Sequence, residues 1–178
     1  MEQNKTKSIY TYSMEYALFF GLILIIKMVL SSFARESQFI SLLLSLFLVI
    51  IPIAGYVLTK RFRDLSGYTS FSQLFVFGVF MYFFSSLLSG IFDYVFYQYL
   101  NPQFFQAQLA DVETLLGEMV NAGLITDSEL VAQMEAENPQ TPIEVVYQGM
   151  WGMLMLGSLY SLILALFLRK KKTTISNN

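Results

Sequence analysis

Four uninterrupted apolar runs constrain this chain more than any other feature. They are "YSMEYALFFGLILIIKMVLSSF" at about 12–33, "FISLLLSLFLVIIPIAGYVLT" at about 39–59, "FSQLFVFGVFMYFFSSLLSGIFDYVFYQYL" at about 71–100 and "VVYQGMWGMLMLGSLYSLILALFL" at about 145–168. Each meets or exceeds the roughly 20 residues that cross a hydrocarbon core at about 1.5 Å per residue. Lipid offers no partner for a backbone N–H or C=O, so a spanning segment must satisfy both internally, as a helix or in a closed barrel. None of the runs alternates with period two, which disfavours a barrel. Charged residues make up only 13% of the chain, against roughly 25% in soluble domains. The expected fold is an all-α membrane protein with four transmembrane helices, and 1–178 reads as a single integral membrane domain.

Basic residues set the orientation. Lys5 and Lys7 precede the first run, Lys60, Arg61 and Arg63 separate the second from the third, and Arg169, Lys170, Lys171 and Lys172 follow the fourth. Four spans place these segments on one side, where they hold nine of the eleven Lys and Arg residues. The 44 residues from Asn101 to Glu144 contain eight acids and no Lys or Arg. Because cytoplasmic segments carry the basic excess, both termini are expected in the cytoplasm and 101–144 outside. Ser32-Phe33-Ala34 has the small-x-small pattern of a signal-peptidase site. However, the apolar run before it exceeds the usual 7–15-residue core of a signal peptide, so an uncleaved span is the expectation.

The outer acidic segment carries helical periodicity of its own. Phe105, Leu109, Val112, Leu116, Met119 and Val120 recur at spacings of three and four, and Asn121-Ala122-Gly123 is a helix stop. "TDSE" then offers a capping box, Thr126 with Glu129, ahead of Leu130, Val131 and Met134, and "NPQTP" closes the second helix. An extracytoplasmic amphipathic helical hairpin at about 101–144 is expected between the third and fourth spans, its apolar face on the membrane surface or the mouth of the bundle.

Composition excludes several chemistries. With no Cys and no His, the chain forms no disulfide, has no thiol nucleophile and no Cys- or His-ligated zinc, and lacks the usual general base near neutral pH. A formal net charge of −2 gives no footprint for nucleic acid. The outer acids lack the D-x-[DN]-x-[DN]-G spacing of a calcium loop and read as a solvated face. No phosphate loop or nucleophile elbow is present. No cofactor, metal or catalytic residue is expected, and the chain is not read as an enzyme.

Two intramembrane charges stand out. Lys27 lies about 14 residues into the first span, so roughly 21 Å deep, and Asp93 lies near the outer end of the third. A charge in lipid costs about 2.5–3.5 kcal/mol on insertion scales. Lys27 therefore either snorkels to the outer headgroups or forms a polar pair with Asp93, and both readings are structural. Glu15 opens the first span, where the helix dipole favours an acid. Gly157, Ser161 and Ala165, with Gly149 in phase, form a small-residue stripe on the fourth run. Ser85/Ser89 and Ser86/Gly90 do so on the third, and Ser41/Ser45 on the second. Such stripes permit close helix approach, within one bundle or in a homo-oligomer or with a membrane-protein partner. The outer tyrosines of the third run read as an interfacial belt, and Pro52 as a kink tolerated when neighbouring helices satisfy the carbonyl it frees.

The stretch "LTKRFRDLSGYTSFSQLF" between the second and third runs parses as a hinge. Its cations anchor it in the cytoplasm, Asp64 is placed to pair with one of them, Ser66-Gly67 makes the turn, and Thr69 or Ser70 caps the third span. A hinge does not require Tyr68 or the full Arg-Asp pattern, so Arg63, Asp64 and Tyr68 are the candidate cytoplasmic contact.

"KRFRDLSGYTSFSQLFVFG", "YVFYQYLNPQFFQ", the Gly-Leu-Ile-Thr-Asp-Ser-Glu turn and "GSLYSLILALFLRKKK" resemble the domain-of-unknown-function 4199 family, small four-helix membrane proteins chiefly from Bacteroidota. The likeness runs from the first span to the C-terminus and is strongest around Arg63-Asp64 and from Gly67-Tyr68 to Gly78. The polar first twelve residues and Lys27 are not part of it. It implies a multi-pass protein of the bacterial inner membrane and transfers no activity, cofactor or site residue. The expected role is non-enzymatic: structural, assembly or accessory, with the lipid bilayer as its first partner. The alternative is a small oligomeric ion or solute transporter or channel subunit, in which Lys27, Asp93 and the small-residue stripes line a path.

Overall fold

Helices begin and end in this chain where side chains satisfy the backbone groups that a helix leaves unpaired. The computed structural model describes residues 8–34, 37–67, 70–124 and 141–169. Among these residues the order is α1 (Ile9–Phe33), α2 (Gln38–Ser66), α3 (Phe71–Val95) continued by a π-helical turn (Phe96–Leu100), α4 (Pro102–Asn121) and α5 (Pro142–Leu168), with no strand. Four segments are long and apolar enough to cross a membrane: α1, α2, α3 with its π turn, and α5. The all-helical, four-span expectation holds.

The boundaries differ from expectation in instructive ways. Helix α2 does not stop near Thr59 but runs to Ser66, so Lys60, Arg61, Arg63 and Asp64 stand on its last two turns rather than in a loop. Its end is set by Gly67, whose φ of 71° is the left-handed conformation that glycine adopts without steric cost. Ser70 and Gln73 then form a capping box: the Gln73 amide N–H donates to Ser70 Oγ (3.3 Å) and the Ser70 N–H donates to Gln73 Oε1 (3.2 Å). Ser70, one of the two expected caps, acts as one; Thr69 lies outside the described residues. Helix α5 starts at Pro142, earlier than expected, where the Glu144 side chain reaches back to cap the chain, the Thr141 N–H donating to Glu144 Oε2 at 3.1 Å. The stop expected at Asn121-Ala122-Gly123 is a full Schellman motif: the Gly123 N–H bonds the Val120 carbonyl, the Leu124 N–H bonds the Met119 carbonyl, and Gly123 has φ 69°. The second half of the expected outer hairpin, from Thr126 to Pro139, lies outside the described residues.

The contacts divide the chain into two compact units, residues 1–89 with 150–178 and residues 90–149. In the first, α3 meets each of the other three helices. The Ser13 hydroxyl of α1 lies 3.2 Å from the Phe77 carbonyl, and that of Ser85 lies 3.1 Å from the Ala17 carbonyl, so α1 and α3 run parallel. A Cβ on Gly78 would meet Ser161, and one on Gly157 would meet the Tyr82 ring, so α3 and α5 run antiparallel in close approach. Phe62 of α2 stacks on Phe77 at 3.8 Å with 3° between the planes, and Tyr12 of α1 packs edge-on against Phe62 at 5.5 Å. Phe20, Phe62, Leu74, Phe77, Met81 and Ala165 are fully buried here. The stripe of Gly157, Ser161 and Ala165 is buried, so it serves packing within one bundle; Ser41 and Ser45 are exposed on α2. Helices in lipid gain little from hydrophobic burial against one another, so this fit of ring to glycine and hydroxyl to carbonyl supplies the cohesion.

The second unit is organised by the π turn. The Asn101 N–H bonds the Phe96 carbonyl five residues back (2.8 Å), and the Asn101 side chain then accepts from the Phe104 N–H (3.1 Å) to start α4, with Pro102 in the first turn. The chain thus reverses within a few residues and lays Phe104 and Phe105 on Tyr97, with centroids 6.3 and 5.5 Å apart.

Candidate functional site

The clearest polar constellation is built on Arg63. It stands one turn from the end of α2, and its side chain is 16% exposed. Its Nε and Nη2 both reach Asp64 Oδ1, at 2.8 and 2.7 Å, while Nη1 donates to the Leu168 carbonyl at 3.3 Å. Leu168 is the last residue of α5, so its carbonyl is one of those an ending helix leaves without an intrahelical donor. A cation there also complements the negative end of the helix dipole. Arg63 therefore caps α5 from another helix, and Asp64, 44% exposed, fixes the guanidinium while remaining accessible. The expected Arg63–Asp64 pairing is present, on a helix rather than in a loop. Tyr68, the third member of that candidate, lies outside the described residues.

A second constellation lies inside the bundle. The Tyr160 hydroxyl of α5 donates to the Pro52 carbonyl of α2 at 2.8 Å. Gly55, one turn further on, leaves room for both Tyr160 and the Tyr82 hydroxyl, and the Thr59 hydroxyl donates to the Gly55 carbonyl at 2.8 Å. A proline ring costs its helix the hydrogen bond to the carbonyl four residues back, and here a neighbouring phenol steadies the next turn. Sequence reasoning expected a neighbouring helix to satisfy the carbonyl that Pro52 frees, that of Leu48; the bond found goes instead to the carbonyl of Pro52 itself, from Tyr160, which it did not name. The available signal was a mid-span tyrosine, whose hydroxyl needs an acceptor in a medium without water.

The intramembrane charges fall in different units. Lys27, in the first, is exposed on α1 and stands six residues before the helix end. That is about 9 Å at helical rise, within reach of a snorkelling ammonium. Asp93, in the second, is half-buried one turn before Tyr97, whose side chain bonds that of Gln108 on α4. Close by, Phe105, Leu109 and Val112 of α4, with Val145 and Gln148 of α5, line a cavity of about 470 Å³. Gly149, expected in phase with the α5 stripe, has no neighbour within 4 Å of a Cβ placed on it. Among the described residues no cluster of three or more acids is placed to hold a metal ion.

Comparison with known proteins gives one match. The family described as "Protein of unknown function (DUF4199)" matches residues 15–170, which takes in the first apolar segment from Glu15 onward, the other three and the Arg63–Asp64 constellation. The chain belongs to this family. No curated protein and no solved structure matches it. Membership in DUF4199 agrees with the resemblance carried by the α2–α3 junction and the end of α5, and it assigns no reaction to either constellation.

Proposed function

We propose that this DUF4199 member is a multi-pass protein of the bacterial inner membrane with a structural, assembly or accessory role and no catalysis of its own. The observation that carries this reading is how the bundle interior is used. Phe20, Phe62, Phe77 and Met81 fill it, and the hydroxyls of Ser13, Ser85 and Ser161 are engaged with backbone carbonyls. Those of Ser13 and Ser85 tie α1 to α3, and that of Ser161 bonds within α5. Lys60, Arg61, Arg63 and Arg169 gather at one end of the first unit, and the basic excess assigns that end to the cytoplasm. The acidic segment 101–144 then faces outward as a helical hairpin, the part of the chain best placed to meet a partner.

Photocrosslinkers at the exposed Val112 and Leu115 of α4 test this in intact cells. A discrete crosslinked species from these positions, and none from the lipid-facing Leu48 of α2, is the expected result. A transporter or channel subunit is the second reading, favoured by the exposed Ser41 and Ser45 on α2 and Lys27 on α1, polar groups that copies of the chain would enclose between them. Ion flux through proteoliposomes containing only this protein, above that of empty liposomes, would establish the second reading over the first.

A further inference from the structure

The bond from Arg63 to the Leu168 carbonyl brings the last turns of α2 and α5 side by side. Lys60, one turn before Arg63, and Arg169, directly after Leu168, stand at this same end of the two helices, and both are exposed. Asp64 engages Arg63 through two nitrogens and Arg61 lies beside Tyr16 of α1, so Lys60 and Arg169 are the exposed cations next to this contact. Just below Lys60, Tyr56 is 39% exposed, with the Lys60 Nζ 6.0 Å from its ring centroid, and Tyr56 neighbours Tyr160 across the seam. Deeper still the surface is apolar, with Ile53 on α2 and Leu156 on α5, each about one turn further from that end than Tyr56 and Tyr160, exposed. From the end of the bundle inward, the seam thus presents cations, then phenols, then hydrocarbon. An amphiphile with an anionic head has the same order.

We propose that the α2–α5 seam binds an anionic phospholipid, its phosphate held by Lys60 and Arg169 and its acyl chain lying over Ile53 and Leu156. The phenol of Tyr56 sits at the level of the glycerol linkage, where tyrosines are enriched in membrane proteins. Arg63 is the positioning residue: it touches no lipid and brings the two cations together by capping α5. Bilayer attraction to a basic segment is diffuse, whereas this site selects one lipid at one place because its cations come from two helices locked together. The inference rests on the chain being membrane-embedded. It does not depend on which side faces the cytoplasm.

The test uses the full chain, purified in neutral detergent and mixed with equal amounts of phosphatidylglycerol and phosphatidylcholine of matched acyl chains, with retained lipid read by native mass spectrometry. Wild type is expected to retain phosphatidylglycerol preferentially. The double variant K60Q/R169Q should lose that preference by roughly tenfold, each cation contributing a few-fold, and K27Q, which removes an exposed cation elsewhere on the surface, should keep it. The tail variant K170Q/K171Q/K172Q should lower the total anionic lipid bound and leave one phosphatidylglycerol retained. R63Q should weaken retention although Lys60 and Arg169 remain. Loss of preference in the tail variant with none in K60Q/R169Q would overturn the proposal. Displacement of the lipid by millimolar inorganic phosphate would reassign the seam to a free anion and would equally overturn it. Neither outcome depends on orientation: reversed sidedness in cells would refute the topology and leave the lipid preference standing.

Discussion

At Gly78 the absence of a side chain decides how two helices meet. A Cβ there would lie 2.6 Å from Ser161 Cβ and closer still to its hydroxyl, so α3 and α5 touch nearly backbone to backbone. Gly78→Ala is expected to destabilise the bundle by about 1–3 kcal/mol, the usual cost of overpacking, in reversible unfolding in mixed micelles. Restoring room with Ser161→Gly in the same chain should recover most of the loss. Gly149→Ala should be neutral or slightly stabilising, since nothing lies within 4 Å of the added carbon. The contrast is informative because both glycines sit in apolar spans and only one is crowded. Lys27 makes a different point: it is exposed on α1 about 9 Å before the helix end, within the reach of a snorkelling ammonium. Lys27→Leu is therefore expected to leave unfolding unchanged or raise stability slightly. A loss of more than about 2 kcal/mol, of the order seen when a buried ion pair is broken, would show that Lys27 anchors the fold.

Among the elements, α2 is the least uniform. From Gln38 to Ala54 no residue is buried, whereas Gly55, Thr59 and Phe62 are. The proline at 52 stands just before this change of environment, and the Tyr160 hydroxyl fastens the helix there at 2.8 Å. Tyr160→Phe removes that hydrogen bond and little volume, so it should cost about 0.6 kcal/mol, the average for hydrogen bonds between helices in membranes, and no more than ~1.7 kcal/mol. Hydrogen exchange should show faster exchange for α2 amides from Ile53 to Tyr56 and little change in α3. Equal exchange in the variant and wild type would mean that Pro52 is held by packing alone. The π turn at 96–100 performs the corresponding task in the other unit. Without its extra residue, Asn101 would be rotated away from capping α4, and Phe104 would not lie on Tyr97.

For the whole molecule the consequential property is sidedness. The chain has no cysteine, so single cysteines report without background. Ser66→Cys and Ser70→Cys are expected to react with a membrane-impermeant maleimide only after permeabilisation, and Leu124→Cys in intact spheroplasts. The reverse pattern would place the basic end outside and refute the orientation. Labelling at both ends in intact spheroplasts would mean that the chain inserts in two orientations.

Much of this was legible in the residues. Four apolar runs without alternation dictate four helices, because lipid leaves the backbone no other way to satisfy itself, and Gly67, Ser70 and Gly123 act where turn chemistry puts them. The Arg63–Asp64 pairing was legible as well, since adjacent opposite charges need no fold to find each other. The run of α2 to Ser66 was not legible, because charged residues end an apolar run without ending a helix, and hydropathy cannot tell the two apart. Nor could spacing reveal which small residues face a neighbour: Gly157 and Gly149 belong to one stripe, yet only Gly157 lies under a ring. That Arg63 caps α5 and Tyr160 fastens Pro52, contacts spanning 105 and 108 residues of chain, was decided by tertiary packing alone. Composition and periodicity act within a helix. The choice of partner across helices depends on the rotation and depth of each one in the bundle, which no local pattern encodes.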